Sequence, residues 1–223
     1  MEALLKNTKS TINRTNPTYF IHTFGCQMNI KDSQNMAGVL ETLGFIETKN
    51  IKKAKVVIIN TCSVRQASED RTYGFGIKYK DIDKKNKPLT FITGCMVGSA
   101  KGTRARYKLK YIRKKMPWAD YFLSPNEEIL LPSILKNEGI IDDWALKSLG
   151  KLNIETNAKR DKSKTALINI SYGCDNFCTF CVVPYARGTE ISRPKIEIIN
   201  EVKHATMRGY NHILLLGQNV NSW

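Results

Sequence analysis

At 223 residues, with 42% apolar and 25% charged side chains, the chain has room for one large domain or one and a half ordinary ones around a sizeable core. Lys+Arg outnumber Asp+Glu by 35 to 20, a formal charge of +15. That excess suits a polyanion such as RNA, which is gained by counterion release; the plainer reading is a solvated, Lys-rich surface. No apolar run is long enough to span a bilayer, and residues 1–16 are polar without the apolar core of a signal peptide. Residues 1–16 are therefore expected to be a disordered tail and the protein to be cytoplasmic, with no membrane association. In that compartment six cysteines read as metal ligands before they read as three disulfides.

Residues 19–24 read as a first strand that runs into Gly25-Cys26-Gln27-Met28-Asn29. Asp32 is expected to cap a helix with the apolar face Met36, Leu40 and Leu43, Val39 beside it, and Gly44 as its left-handed stop. Residues 55–60 are apolar through their middle, as in a strand buried on both faces of a parallel sheet. They lead into Thr61-Cys62-Ser63-Val64-Arg65 and then a polar helix. Residues 89–93 form a third strand, ending in Gly94-Cys95-Met96. Three strands thus each end in a cysteine. The carboxyl ends of strands in an open parallel sheet face one crevice, so Cys26, Cys62 and Cys95 are expected to converge there. Core cysteines usually pack inside strands as small hydrophobes. A cluster site is therefore favoured over unrelated cysteines or a zinc ion.

Between 101 and 115 stand Lys101, Arg104, Arg106, Lys108, Lys110, Arg113, Lys114 and Lys115 with no acid among them, and Tyr107 and Tyr111 four apart on one helical face. A solvated face and a phosphate-binding face both fit this run. Residues 119–123 read as a last strand and 127–135 as a closing helix, which sets a domain over 17–137. Residues 138–164 read as a linker with one short hairpin. A strand over 166–170 then delivers Gly173-Cys174-Asp175-Asn176-Phe177-Cys178-Thr179-Phe180-Cys181, three cysteines spaced CxxxCxxC. Three thiolates on a four-iron cubane leave one iron without a protein ligand. Zinc usually takes four Cys or His ligands, and His22, His204 and His212 do not flank this loop. Arg193-Pro194 is expected to open a helix at its first position, with Ile196, Ile199 and Val202 buried, Met207 extending that face and Gly209 ending it. Residues 212–216 follow as a strand, ahead of Gly217-Gln218-Asn219-Val220-Asn221. Strand, loop, helix and strand make one βαβ unit.

The CxxxCxxC spacing, with Phe180 before its last cysteine, resembles the radical S-adenosylmethionine superfamily. There such a loop holds a [4Fe-4S] cluster whose open iron is chelated by the methionine end of the cofactor. Gly25-Cys26-Gln27-Met28-Asn29, Asn60-Thr61-Cys62-Ser63-Val64-Arg65 and Gly94-Cys95-Met96 resemble the amino-terminal domain of the methylthiotransferase family. Residues 173–188, with Val182-Val183-Pro184-Tyr185-Ala186-Arg187-Gly188, and residues 215–221 resemble its cluster loop and second barrel strand. Gln27-Met28-Asn29 and Ser63-Val64-Arg65 are similar to the MiaB-type branch, which acts on N6-isopentenyladenosine 37 of tRNA. The branches acting on threonylcarbamoyl-adenosine or on a small-subunit ribosomal protein are the alternatives.

The resemblance implies an α/β architecture: an open parallel, Rossmann-like domain followed by the first βαβ unit of a radical-SAM partial TIM barrel over 165–223. It implies two [4Fe-4S] clusters, one auxiliary on Cys26, Cys62 and Cys95, the other on Cys174, Cys178 and Cys181. S-adenosyl-L-methionine would meet the second cluster, with Gln218 and Phe180 beside it. Arg187 and Arg193 would meet the cofactor carboxylate or tRNA phosphate, or make ordinary surface pairs. No catalytic side chain is implied beyond the clusters. Implied partners are tRNA, along the cations from Lys101 to Arg113, an electron donor of flavodoxin or ferredoxin type and a sulfur source. Two departures stand out. Val97-Gly98 replace the usual Ala-Gln, and only two of about six barrel strands are present, where a full eight-stranded barrel takes roughly 250 residues. The later strands and the small RNA-binding TRAM domain are missing. A truncated chain is therefore expected, a monomer or one completed by a second chain, and a non-catalytic iron–sulfur or RNA-binding protein is the alternative to an enzyme. Residues 165–223, lacking barrel layers over Ile213, Leu214, Leu215 and Leu216, should be cut by protease before residues 17–135; equal resistance would contradict this.

Overall fold

The computed structural model describes residues 16–64, 66–79, 82, 84–102, 105, 108–150, 153–161 and 163–223. The amino-terminal part runs β1 (Thr18–Phe24), α1 (Gln27–Thr42), β2 (Ile46–Glu47), β3 (Val56–Thr61), α2 (Gln66–Gly74), β4 (Leu89–Gly94), α3 (Cys95–Lys101), α4 (Leu109–Lys115), β5 (Tyr121–Leu123) and α5 (Leu131–Asn137). Its five strands form one parallel sheet in the order β2-β1-β3-β4-β5. Every residue of β3 is buried, as its unbroken apolar run requires in a sheet covered on both faces. Alternate β3 side chains feed two cores. Val57 and Ile59 pack with Phe75, Ile92, Met96, Ile112 and Met116 on one face. Val56 and Ile58 pack with Tyr19, Met36, Leu40, Phe91 and Leu135 on the other.

Two local expectations change. Asp32 does not cap α1: the helix starts five residues earlier, directly after its N-cap Cys26. Asp32 sits buried within it, where Arg187 supplies the partner that a capping interaction would have supplied. Gly44 does adopt the left-handed conformation expected of a helix stop, with φ of 86°. The closing helix is a 3-10 segment, Pro125–Leu130, followed by α5.

Beyond α5 the chain forms α6 (Asp143–Ser148), where a short hairpin is expected. Residues 153–161 then cross α1 closely. The Lys159 N–H donates to Gln34 O at 2.8 Å, and its ammonium contacts Glu41, Glu47 and Tyr19. A Cβ at Gly38 would come 2.1 Å from Asn157 O, so this crossing depends on glycine. The second part comprises β6 (Thr165–Asn169), β7 (Ser171–Tyr172), α7 (Val183–Arg187), β8 (Ile191–Ser192), α8 (Lys195–Met207) and β9 (His212–Leu216). Strands β6 and β9 pair in parallel across α8, the expected βαβ unit. Strands β7 and β8 form a short antiparallel ribbon on either side of the cysteine loop and α7.

The buried face of α8 differs from expectation. Ile196, Ile199 and Met207 are exposed, 63%, 37% and 82%, while Ile198, Glu201 and Ala205 are buried and Val202 partly so. Two apolar stripes on this helix compete, and packing on Ala166, Ile168 and Ile170 selects the one that brings Glu201 inward. Periodicity counts a glutamate as an outward residue; here it is fully buried because three cations meet it. Its carboxylate lies 2.9 Å from Lys31 Nζ, 2.6 Å from Arg160 Nη2 and 2.7 Å from Arg193 Nη1. Lys31 also reaches Glu155 at 2.7 Å. Arg193 Nη1 also donates to Asn169 O at 2.6 Å, so α1, the 153–161 crossing, β6 and α8 join in one buried group.

Burial by itself would raise the pKa of Glu155; the Lys31 charge and hydrogen bond outweigh it and hold the carboxyl below its ordinary value. A depressed acid stabilises the fold above its ordinary pKa, and that contribution fades as pH falls through the lowered value. Replacing Glu201 by Leu removes the acceptor shared by three buried cations. A loss of about 3–5 kcal/mol in unfolding free energy is expected by urea titration.

Candidate metal centres

The register of the sheet positions the first cysteine set. Phe24 pairs with Thr61, and Thr61 with Gly94, so β1, β3 and β4 end in one row. Cys62 and Cys95 follow immediately and Cys26 one residue later. Gly94 has φ of 95°, and a Cβ there would meet Thr61 O at 2.3 Å. Only glycine lets β4 turn into α3 so close to β3. Below the row lies a buried amide pair: Asn29 Nδ2 donates to Asn60 Oδ1, and Asn60 Nδ2 to Asn29 O, both at 2.9 Å. Asn60 also donates to Ser33 Oγ at 3.1 Å, and Cys26 N–H to Asn29 Oδ1 at 3.3 Å. These bonds tie the start of α1, which carries Cys26, to the strand that carries Cys62.

N–H donors point at two of these sulfurs. Val64 N–H donates to Cys62 Sγ at 3.4 Å, and Arg187 Nε to Cys95 Sγ at 3.3 Å. Burial pushes the Cys95 thiol up, Arg187 opposes that, and the neighbouring Cys62 adds to the rise. Among the described residues no three His, Cys, Asp or Glu groups are gathered tightly enough for a single metal ion. A cubane binds each thiolate to a different iron, so its ligands need not share one small sphere. Three cysteines at one row of strand ends, none in a disulfide and two with N–H donors at sulfur, fit such a cluster.

The second set lies on the loop between β7 and α7. Gly173, with φ of 63°, starts it; a Cβ there would meet Thr189 O at 2.0 Å. Cys174 N–H donates to Gly188 O at 3.1 Å and Cys181 N–H to Cys178 O at 2.9 Å, closing the loop on itself. Cys174 is buried, Cys181 half-buried and Cys178 exposed. Phe177 holds the left-handed conformation at φ of 46°, an uncommon state for an aromatic residue, and packs edge-on against Tyr185. Phe180 is 91% exposed. Gln218 follows β9 at the end where Asn169 pairs with Leu216, the same end from which β6 feeds the cysteine loop. A cavity of ≈ 570 Å³ lies beside the loop, lined by Phe177, Tyr185, Gly188, Arg187 and Lys101.

Arg187 and Arg193 are buried instead of forming surface pairs. Arg187 binds Asp32 at 2.7 Å as well as Cys95, and Arg193 binds Glu201 and Asn169 O. The contact between Arg187 and Cys95 joins residues 92 apart, with no local signal to announce it. Among the expected RNA-binding cations, Lys101 has a counter-charge after all: Glu127 lies 2.5 Å away and Phe122 O accepts at 3.2 Å. Lys108, Lys110 and Arg113 are exposed on or beside α4. Arg113 lies over Phe122, and Lys115 over Tyr73 and Tyr111. Arg104, Arg106 and Tyr107 lie outside the described residues, as do Arg65 and residues 1–15.

The chain matches the sequence pattern of the "Uncharacterized protein family UPF0004" over residues 18–121 and that of the Radical SAM superfamily over residues 168–223. It is 39% identical, over 92% of its length, to the tRNA-2-methylthio-N(6)-dimethylallyladenosine synthase of Thermodesulfovibrio yellowstonii, covering 46% of that protein. Synthases of the same name from Thermoanaerobacter sp. and Clostridium novyi are 37% and 39% identical over 100% and 97% of the chain, each covered to 47%. Over nearly its whole length the chain is thus similar to synthases of this kind. The match to the Radical SAM superfamily over residues 168–223 implies iron–sulfur and S-adenosylmethionine chemistry. The chain spans about half the length of the curated relatives it matches. Among the described residues no helix is long and apolar enough to cross a membrane.

Asn60→Ala removes the amide that completes the Asn29 pair and leaves buried polar groups unsatisfied. A loss of about 1–3 kcal/mol is expected in denaturant titration of the iron-free protein.

Proposed function

We propose that this chain carries the two-cluster part of a cytoplasmic tRNA methylthiotransferase that inserts a methylthio group at C2 of N6-isopentenyladenosine 37. The observation that carries the reading is the convergence of Cys26, Cys62 and Cys95 at one row of parallel strand ends, with the CxxxCxxC loop anchored to the same domain by Arg187. The substrate follows the relatives' name, and Gln27-Met28-Asn29 supports that branch over the two alternatives.

Two [4Fe-4S] clusters and S-adenosylmethionine, when bound, supply reductive radical chemistry and sulfur transfer. Cys174, Cys178 and Cys181 would hold the cluster that meets S-adenosylmethionine, and Cys26, Cys62 and Cys95 the auxiliary one. Each set supplies three thiolates and so leaves one iron to an outside ligand. The exposed Phe180 ring would shield the cofactor from water, and Gln218 would hydrogen-bond its amino end. Lys108, Lys110 and Arg113, with Arg104 and Arg106, would meet tRNA phosphates, while Lys101 is held by Glu127. An electron donor of flavodoxin or ferredoxin type and a sulfur source complete the set of partners.

Anaerobic reconstitution tests the assignment. The chain should take up about eight irons, and Cys178→Ala or Cys62→Ala about four, each variant losing one cluster's spectrum. Undiminished iron in either variant would remove its cysteine from the ligand set.

A further inference from the structure

Arg187 has its side chain only 4% exposed, yet its planar head divides between two partners: Nη2 donates to Asp32 at 2.7 Å, while Nε donates to Cys95 Sγ at 3.3 Å. An arginine buried only to neutralise an acid would give its other N–H donors to carbonyl or carboxylate oxygens. Here Nε–H meets sulfur. A guanidinium can serve both groups at once because its N–H donors lie in a rigid fork; a lysine ammonium has no such geometry.

The backbone around Arg187 is built for this approach. Arg187 ends α7, six residues after Cys181 in the chain, and α7 lies against α3, which begins at Cys95. A Cβ at Gly98 would fall 1.9 Å from Ala186 O, and one at Gly102 would fall 2.3 Å from Tyr185 O. The absence of side chains at these two positions lets the helices touch backbone to backbone. Asp32, one turn from Asn29 on α1, accepts from Nη2 of the same guanidinium. The arginine is thus clamped between the two elements that carry Cys26 and Cys95.

We propose that Arg187 is a positioning residue for the auxiliary centre: it reaches from the radical-SAM side, holds the Cys95 sulfur, and raises that centre's reduction potential. The proposal rests on the two-cluster reading above. A donor and a positive charge at a ligating sulfur favour the more negative, reduced state of a cluster.

The test is a redox titration, followed by electron paramagnetic resonance, of the whole reconstituted chain carrying Cys174→Ala, Cys178→Ala and Cys181→Ala, so that only the auxiliary signal remains. In Arg187→Gln the reduced-to-oxidised ratio at a fixed potential should fall at least tenfold, about 59 mV for one electron. Arg187→Lys, which keeps the charge but not the fork, should fall less. Asp32→Asn with Arg187→Gln leaves no unpaired buried charge and should fall in the same direction. Selective loss of auxiliary iron in the double variant, with the loop cluster kept when its cysteines are intact, would equally support Arg187 as the holder of Cys95. A parent-like ratio in the double variant at full iron content would overturn this proposal alone. Absence of iron from the auxiliary site of the parent chain would overturn the two-cluster reading and the proposal together.

Discussion

Three parallel strands of this protein end level with one another, and that alignment brings the residues that follow them to one edge of the sheet. β1, β3 and β4 share one hydrogen-bonded row, so whatever residues follow Phe24, Thr61 and Gly94 are delivered to the same edge of the sheet. Cysteines occupy those places. The burial of β3 on both faces holds the row rigid, since a slip of one residue would turn Val57 and Ile59 out of one core and into the other. The Asn29–Asn60 pair then carries the alignment from the strands into the start of α1.

Buried charges fasten the second part of the chain to the sheet domain, beside the apolar contact of Val182 and Ala186 with Cys95. Glu201 collects Lys31, Arg160 and Arg193 in a site without solvent, and Arg187 reaches across to Asp32 and Cys95. Burying such charges has a high desolvation cost, and packed hydrophobic groups could do the same holding at lower cost. Charged groups add direction instead: each of these hydrogen bonds is met over a narrow range of distance and angle, which favours one seating of α8, the 153–161 crossing and α7 on the sheet domain. Meanwhile Leu214 and Leu215 of β9 stand 41% and 48% exposed, in a chain that spans about half the length of its relatives. The buried ion group thus secures the cysteine loop against the sheet domain although these barrel residues remain uncovered.

The basic run between 101 and 115 divides once the fold is known. Lys101 pairs with Glu127, while Arg113 and Lys115 lie over aromatic rings and Lys108 and Lys110 face solvent. A segment without acids is thus not a segment without counter-charges, because acids arrive from elsewhere in the chain.

Composition and spacing by themselves determined the parallel α/β architecture, the strand-end positions of Cys26, Cys62 and Cys95, the CxxxCxxC loop, and the βαβ unit after it. Each is a local signal: apolar runs, a turn glycine, cysteines a few residues apart. Tertiary structure decided what depends on residues far apart in the chain. It placed Asp32 inside α1 instead of at its cap, and it turned Glu201 inward on a helix whose pattern points Ile196 and Ile199 there. It also brought Arg187 against Cys95, made a fastening of the 153–161 segment, and gave Lys101 an acid. For the buried charges among these the physical reason is the same. A buried charge is tolerable only where its partners converge, and that convergence is a property of the packed helices and strands, not of any stretch of sequence.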